Sequence, residues 1–155
     1  MTIRGWKTQF KEIRKEFGYS EKDDLNSAKK LNSLLKRKND KKQFQTIIKG
    51  KTVFVIGAGP SLTKSLKYIK KSKNAKKIVA DGAVRALLEK NIKPDILITD
   101  LDGDVKSIEK IGKTKIPIIV HAHGDNYDEL GIVKKLKNVT GSTQTEKIGK
   151  VENFG

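Results

Sequence analysis

The spacing of apolar residues changes character near residue 50. Before it, Trp6, Phe10, Ile13 and Phe17 recur at helical intervals, and Leu25, Ala28, Leu31 and Leu35 do so again. Ser20 and Asp23, just ahead of the second series, resemble a capping box. Two helices are predicted, with the aromatic side chains as core packing rather than a ligand cage. After residue 50, short β-branched runs alternate with helical spacing. Strands are expected over 52–56, 77–80, 96–99, 116–120 and near Val139. Helices are expected to run to about Lys70, over 82–91, near 105–111 and around 127–136. Such alternation implies parallel strands joined by right-handed crossovers. The expected fold is therefore α/β, a Rossmann-like three-layer domain over residues 51–155, with a helical N-terminal arm over residues 1–50.

In sheets of this kind ligands sit beyond the carboxyl ends of the strands. Polar motifs follow four predicted strands: Gly57-Ala58-Gly59-Pro60-Ser61, Asp81-Gly82, Asp100 to Asp104, and His121-Ala122-His123-Gly124-Asp125-Asn126. A shared site on one sheet edge is the economical explanation. The third motif ends the run I-L-I-T-D-L-D-G-D and delivers Asp100, Asp102 and Asp104 to one loop. Carboxylates gathered in a chain of net charge +16 want a counter-ion, and Mg²⁺ with substrate phosphates is the natural candidate. The glycine turn between strand and helix exposes backbone N–H groups at a positive helix end, which suits a phosphate. It is neither a dinucleotide fingerprint, which would need a glycine at Leu62, nor a P-loop, which would need Gly-Lys-Ser/Thr. Asp81 alone would read as a helix N-cap.

Composition narrows the classes. A chain of 155 residues can hold one α/β core with an appendage. The absence of cysteine excludes disulfides, thiolate zinc sites and a cysteine nucleophile. No apolar run approaches the roughly 20 residues that span a bilayer, and a cytoplasmic protein without membrane association is expected. The positive charge is carried overwhelmingly by lysine, with arginine only at Arg4, Arg14, Arg37 and Arg85. The lysines are spread over both halves, and the cluster Lys36-Arg37-Lys38 with Lys41-Lys42 falls in a predicted helix end and linker. A solvated surface that attracts anionic nucleotides is expected, with no nucleic-acid partner.

Two motifs invite other enzyme readings. I-T-D-L-D-G-D looks like the first motif of haloacid-dehalogenase-type phosphatases, yet that family expects threonine or a similar residue after the glycine, where Asp104 stands. His-Ala-His-Gly-Asp looks like the metal motif of metallo-β-lactamase-type hydrolases, which require more histidines than His121 and His123. Taken together, G-A-G-P-S-L at Gly57 to Leu62, A-D-G-A at Ala80 to Ala83, K-P-D-I-L-I-T-D-L-D-G-D at Lys93 to Asp104 and H-A-H-G-D-N at His121 to Asn126 resemble the archaeal-type 6-hydroxymethyl-7,8-dihydropterin pyrophosphokinase family. The N-terminal Trp6 and the S-x-x-D segment are similar too, so the likeness covers essentially the whole chain. The A-D-G and D-L-D elements are shared more distantly with thiamin pyrophosphokinase.

That resemblance implies Mg²⁺-dependent transfer of diphosphate from ATP to the hydroxymethyl group of a reduced pterin, with release of AMP, in tetrahydromethanopterin or folate biosynthesis. By the same resemblance Asp100 and Asp102 hold the metal, with Asp81 as a further ligand beside Gly82. Gly57, Gly59 and Ser61 receive phosphate oxygens, and His123, Asp125 and Asn126 line the pterin or assist its hydroxyl. The family pattern continues beyond Asn153-Phe154-Gly155, so a C-terminally truncated chain is expected, and a homo-oligomer is compatible with it. The alternatives are a nucleotide-binding module related to glycosylation-associated domains and a phosphatase.

Overall fold

The computed structural model describes residues 6–37 and 41–153, apart from the side chains of Trp6 and Lys7. The Trp6 side chain, Lys38, Phe154 and Gly155, named above, lie outside the described set, as does Arg4.

Six parallel strands form one sheet in simple sequential order. They are β1 (Val53–Ile56), β2 (Lys76–Ala80), β3 (Ile96–Thr99), β4 (Ile118–Ala122), β5 (Val139–Thr143) and β6 (Val151–Asn153). The fold is α/β and Rossmann-like, with helices flanking the sheet as the alternating pattern predicts. Right-handed crossovers between sequential neighbours carry the connecting helices to one face. On that face the register aligns Ile56, Val79, Leu97 and Ile118 in one row and Thr99, Val120, Gly141 and Val151 in the next. Val79, Leu97, Ile118, Val120 and Val151 are completely buried there. The opposite face is more open, with Val55 83% and Ile98 39% exposed.

Three helices precede the sheet: α1 (Trp6–Phe17), α2 (Glu21–Leu34) and α3 (Lys41–Ile48). Ser20 caps α2, its hydroxyl accepting from the Asp23 N–H at 3.3 Å. Leu31 and Leu35 join the main core, each contributing about 1.5–3 kcal/mol of apolar burial. A Cβ on Gly141 of β5 would lie 2.7 Å from Leu35 and 3.1 Å from Leu31, so this glycine lets α2 lie directly on the sheet. In α1, by contrast, Ile13 and Phe17 do not pack into the core as expected. Ile13 is 38% and Phe17 62% exposed, and Phe17 stacks on Tyr19 with ring centroids 5.8 Å apart. Gly18, at φ +70°, terminates α1 and turns the chain towards α2.

Four local expectations are corrected. Helix α3 stands where a linker is expected and carries the chain from one sheet edge to the other; Lys41 pairs with Glu152 of β6 at 3.2 Å. Strand β4 starts after Pro117, which lacks the N–H a ladder needs, so His121 and Ala122 lie within it rather than beyond it. The segment around 127–136 is 3-10 helix, Gly124–Asn126 and Glu129–Lys135. Leu130, Val133 and Leu136 are buried at every third position, the period of that helix. Finally, β6 was not anticipated, because its three residues carry too short a pattern to register as a strand. The remaining helices are α4 (Leu62–Lys71), α5 (Asp81–Glu89) and α6 (Val105–Gly112). Among the described residues no helix is long and apolar enough to cross a membrane.

Candidate functional site

The carboxyl ends of β2 and β3 bring three carboxylates together. Asp81, Asp100 and Asp102 each offer an oxygen within 4.8 Å of the others. Asp81 is the first residue of α5 and is only 8% exposed. Its two oxygens are held from opposite sides: the Thr99 hydroxyl donates at 2.6 Å and the Gly82 N–H at 2.8 Å. Thr99, the last residue of β3, also accepts from the Leu101 N–H at 2.8 Å, so one hydroxyl ties both strand ends. Leu101 is buried at φ +76°, a left-handed conformation costing about 1–3 kcal/mol for a residue other than glycine. That turn buries the leucine while its neighbours Asp100 and Asp102 stay at the surface of the edge. Gly103 completes the approach: a Cβ there would sit 2.9 Å from the Asp81 Cβ and 3.1 Å from its backbone carbon.

The three acids stand close enough to repel one another, and the Asp100 and Asp102 carboxyls are driven apart in acidity. The hydrogen bond with Asp100 and the Asp100 charge, reinforced by partial burial and Asp81, push the Asp102 carboxyl up. For Asp100 burial acts upward, but accepting from Asp102 and from backbone N–H groups, with His123 nearby, outweighs it and leaves its carboxyl low. Hard oxygen donors of this kind suit Mg²⁺, which binds at about 2.0–2.1 Å, takes one or two carboxylates directly and keeps several waters or phosphate oxygens. Sharing one such ion would draw neighbouring oxygens to about 2.9 Å, so from separations of up to 4.8 Å the side chains must close by as much as about 2 Å.

The flanking motifs converge on this cluster. His123 follows β4 and places Nε2 3.6 Å from Asp100 Oδ2. Asn126 is buried and fully engaged: its amide donates to the Asp100 carbonyl at 2.6 Å and the His121 carbonyl at 2.7 Å, and its oxygen accepts from the His123 N–H at 3.1 Å. It fastens the β4 loop to the β3 loop. On the other side the glycine loop abuts α5, since a Cβ on Gly82 would lie 3.1 Å from Ala58. Gly57 and Gly59 face open space, and Ser61 caps α4 without a side-chain hydrogen bond.

Three residues stand apart from the cluster. Asp104 caps α6, accepting from the Ser107 N–H at 3.0 Å, and that bond holds its carboxyl low. Asp125 is exposed, and His121 points from β4 to Ser142 with Nδ1 3.0 Å from its hydroxyl. Sequence reasoning missed Thr99, Asp24 and Gln144. Asp24 accepts from the Gly124 N–H at 2.7 Å and from Gln144 at 2.9 Å. Its signal was phase: Asp24 falls on the same stripe as Ala28, Leu31 and Leu35, where an acid is out of place.

Fold and site together define a class: a Rossmann-like α/β protein whose sheet edge gathers carboxylates suited to a hard cation beside a glycine loop. Comparison with known proteins is specific. The family model described as "6-hydroxymethylpterin diphosphokinase MptE-like" matches residues 25–154, and the chain belongs to that family. It is 42% identical over 153 residues to a protein of Pyrococcus furiosus named 6-hydroxymethyl-7,8-dihydropterin pyrophosphokinase, covering 97% of this chain and 65% of that one. A protein of the same name from Methanocaldococcus jannaschii is 40% identical, covering 100% of this chain and 69% of its own length. A third, from Methanothermobacter thermautotrophicus, is 33% identical, covering 100% and 68%. The chain thus spans about two-thirds of the length of the curated relatives it matches.

Proposed function

We propose that this chain transfers diphosphate from ATP to 6-hydroxymethyl-7,8-dihydropterin and releases AMP, a step of tetrahydromethanopterin or folate biosynthesis. The names of its relatives support the pterin and the diphosphate. The observation that carries the reading to this chain is the Asp81, Asp100 and Asp102 cluster, standing between an open glycine loop and His123. Mg²⁺ held by these carboxylates would neutralise charge on the triphosphate.

Residues 51–155 carry the nucleotide-binding part of this reading. Gly57, Gly59 and Ser61, at the start of α4, receive phosphate oxygens through backbone N–H groups and a free-standing hydroxyl. Asp81, fixed by Thr99 and Gly82, would hold the cation with Asp100 and Asp102, and the ion would offset the repulsion among the three carboxylates. The acceptor hydroxyl attacks the β-phosphorus in line, the bond from that phosphorus to the α,β-bridging oxygen breaks, and AMP leaves with that oxygen. His123 Nε2, beside Asp100, takes the hydroxyl proton. Asp125 lines the acceptor side, and Asn126 serves it by holding the His123 loop. Positioning and electrostatics do most of this work, which suits a site without a covalent nucleophile.

The test is the nucleotide product after incubation with ATP, Mg²⁺ and 6-hydroxymethyl-7,8-dihydropterin. AMP formed one for one with pterin diphosphate supports the reading, and Asp100→Asn and Asp102→Asn should each abolish it while the protein still folds. ADP as product would refute it. Retained ATP binding without turnover would make the chain a nucleotide-binding module.

A further inference from the structure

Asp24 lies far from the strand-end motifs in sequence, yet it is 2% exposed. A buried carboxylate ordinarily takes a lysine or arginine, since an unpaired interior charge costs several kcal/mol. Its hydrogen-bond partners are both neutral, and the titratable group that feels its charge is His121. Oδ1 accepts from the Gly124 N–H at 2.7 Å, and Oδ2 accepts from the Gln144 amide at 2.9 Å. Gly124 is the residue after His123, and Gln144 is the residue after β5. One side chain on α2 therefore holds the ends of two adjacent strands.

From its own geometry the β4 loop has two anchors. Asn126 ties it inward to the Asp100 carbonyl at 2.6 Å, and Asp24 ties it outward to α2. The second anchor is close-fitting, because a Cβ on Gly124 would lie 3.1 Å from the Asp23 Cβ and 3.5 Å from Asp24 Oδ1. A larger residue at Gly124 would push the loop off α2. The two anchors hold the peptide groups on either side of His123, Asn126 accepting from the His123 N–H at 3.1 Å and Asp24 from the Gly124 N–H, so its 3.6 Å separation from Asp100 depends on both.

We propose that Asp24 is a positioning residue: it braces the β4 loop from α2 and so sets His123 against the carboxylate cluster for the acceptor side of the reaction. This rests on the diphosphate-transfer reading above, and it assigns α2 a part in the site as well as in the core. The glycine loop and Asp81 lie at the other strands, so nucleotide affinity should be insensitive to Asp24.

The test uses Asp24→Ala, Asp24→Asn and Gln144→Ala in the full 155-residue chain. The readouts are Gly124 amide hydrogen exchange, Mg²⁺-ATP affinity, and kcat and KM for the pterin. Asp24→Ala should speed Gly124 exchange at least tenfold and lower kcat by about 10–100-fold, the scale expected when a reacting group shifts by about 1 Å. Mg²⁺-ATP affinity should stay within about threefold of wild type, a difference below 1 kcal/mol. Asp24→Asn keeps an acceptor for Gly124 and can satisfy Gln144 by an amide flip, so it should recover most of both losses. Should Asp24→Ala not fold, Gln144→Ala and Asp24→Asn still rank the brace by exchange and kcat. Unchanged Gly124 protection in Asp24→Ala, or parallel loss of ATP affinity and kcat, overturns the proposal. A wild-type chain that does not form AMP, with Gly124 protection lost in Asp24→Ala, leaves the brace standing and removes the transfer reading instead.

Discussion

Gly103→Ala is the most direct probe of how the carboxylates are held together. The new Cβ would meet Asp81 at 2.9 Å from its Cβ, 3.0 Å from its Cγ and 3.1 Å from its backbone carbon. Ordinary contact begins near 3.4 Å, so something must move by about half an ångström. Asp81 cannot swing aside cheaply, because Thr99 holds one oxygen at 2.6 Å and Gly82 the other at 2.8 Å. Overpacking of this kind costs about 1–3 kcal/mol, which in a chain of this size lowers the melting temperature by roughly 2–12 °C. The same displacement spreads oxygens that now lie within 4.8 Å of one another. Disturbing the support of a metal ligand typically weakens the metal by about 10–100-fold. With Mg²⁺-ATP at 100 times the wild-type Kd, ligand stabilisation is about 2.7 kcal/mol, and it should fall to between about 1.4 and 0.4 kcal/mol. Thermal melts with and without Mg²⁺-ATP measure both effects separately. A variant that melts with the wild type and keeps its full ligand-induced shift would show that Gly103 neither sets the Asp81 contact nor shapes a cation site.

Further outcomes follow from other contacts. Gly141→Ala should cost about 1–3 kcal/mol by pushing Leu35 and Leu31 off β5; an unchanged urea midpoint would refute the packing of α2 on the sheet. Burial, then the nearby His123, lowers the pKa of His121, so the unfolded chain binds its proton first as pH falls below about 6.5. The His121 contribution is therefore constant above that pH and turns destabilising through the window between the unfolded and the lower folded value. Urea titrations from pH 7.5 to pH 5 should show a smaller acid loss in His121→Gln than in wild type, and identical curves would exclude the effect.

Much of the architecture was legible because it is periodic. The strand runs at Val53–Ile56, Lys76–Ala80 and Ile96–Thr99 are short, β-branched and separated by helical spacing, and little but a parallel α/β sheet buries such a pattern. Asp100 and Asp102 are two residues apart in one loop, so covalent linkage alone makes them neighbours. Asp81 is different: it joins them only because β2 and β3 pair in parallel, with Ala80 opposite Ile98. Over residues 6–35 the two expected helices and the Ser20 cap are present, and only the burial of the first helix departs from the pattern. Phe10, Ile13 and Phe17 have the spacing of a core helix, but Gly18 turns the chain towards α2 and Phe17 lies in solvent. Asp24 stands out only by its phase on the apolar stripe of α2, and nothing local shows that Gly124 and Gln144 meet it. Asn126, expected to face a ligand, spends all its hydrogen bonds on the backbone of two loops. Local spacing determines which segments can bury a face. Which polar groups then touch depends on strand register and helix placement, and those belong to the folded chain as a whole.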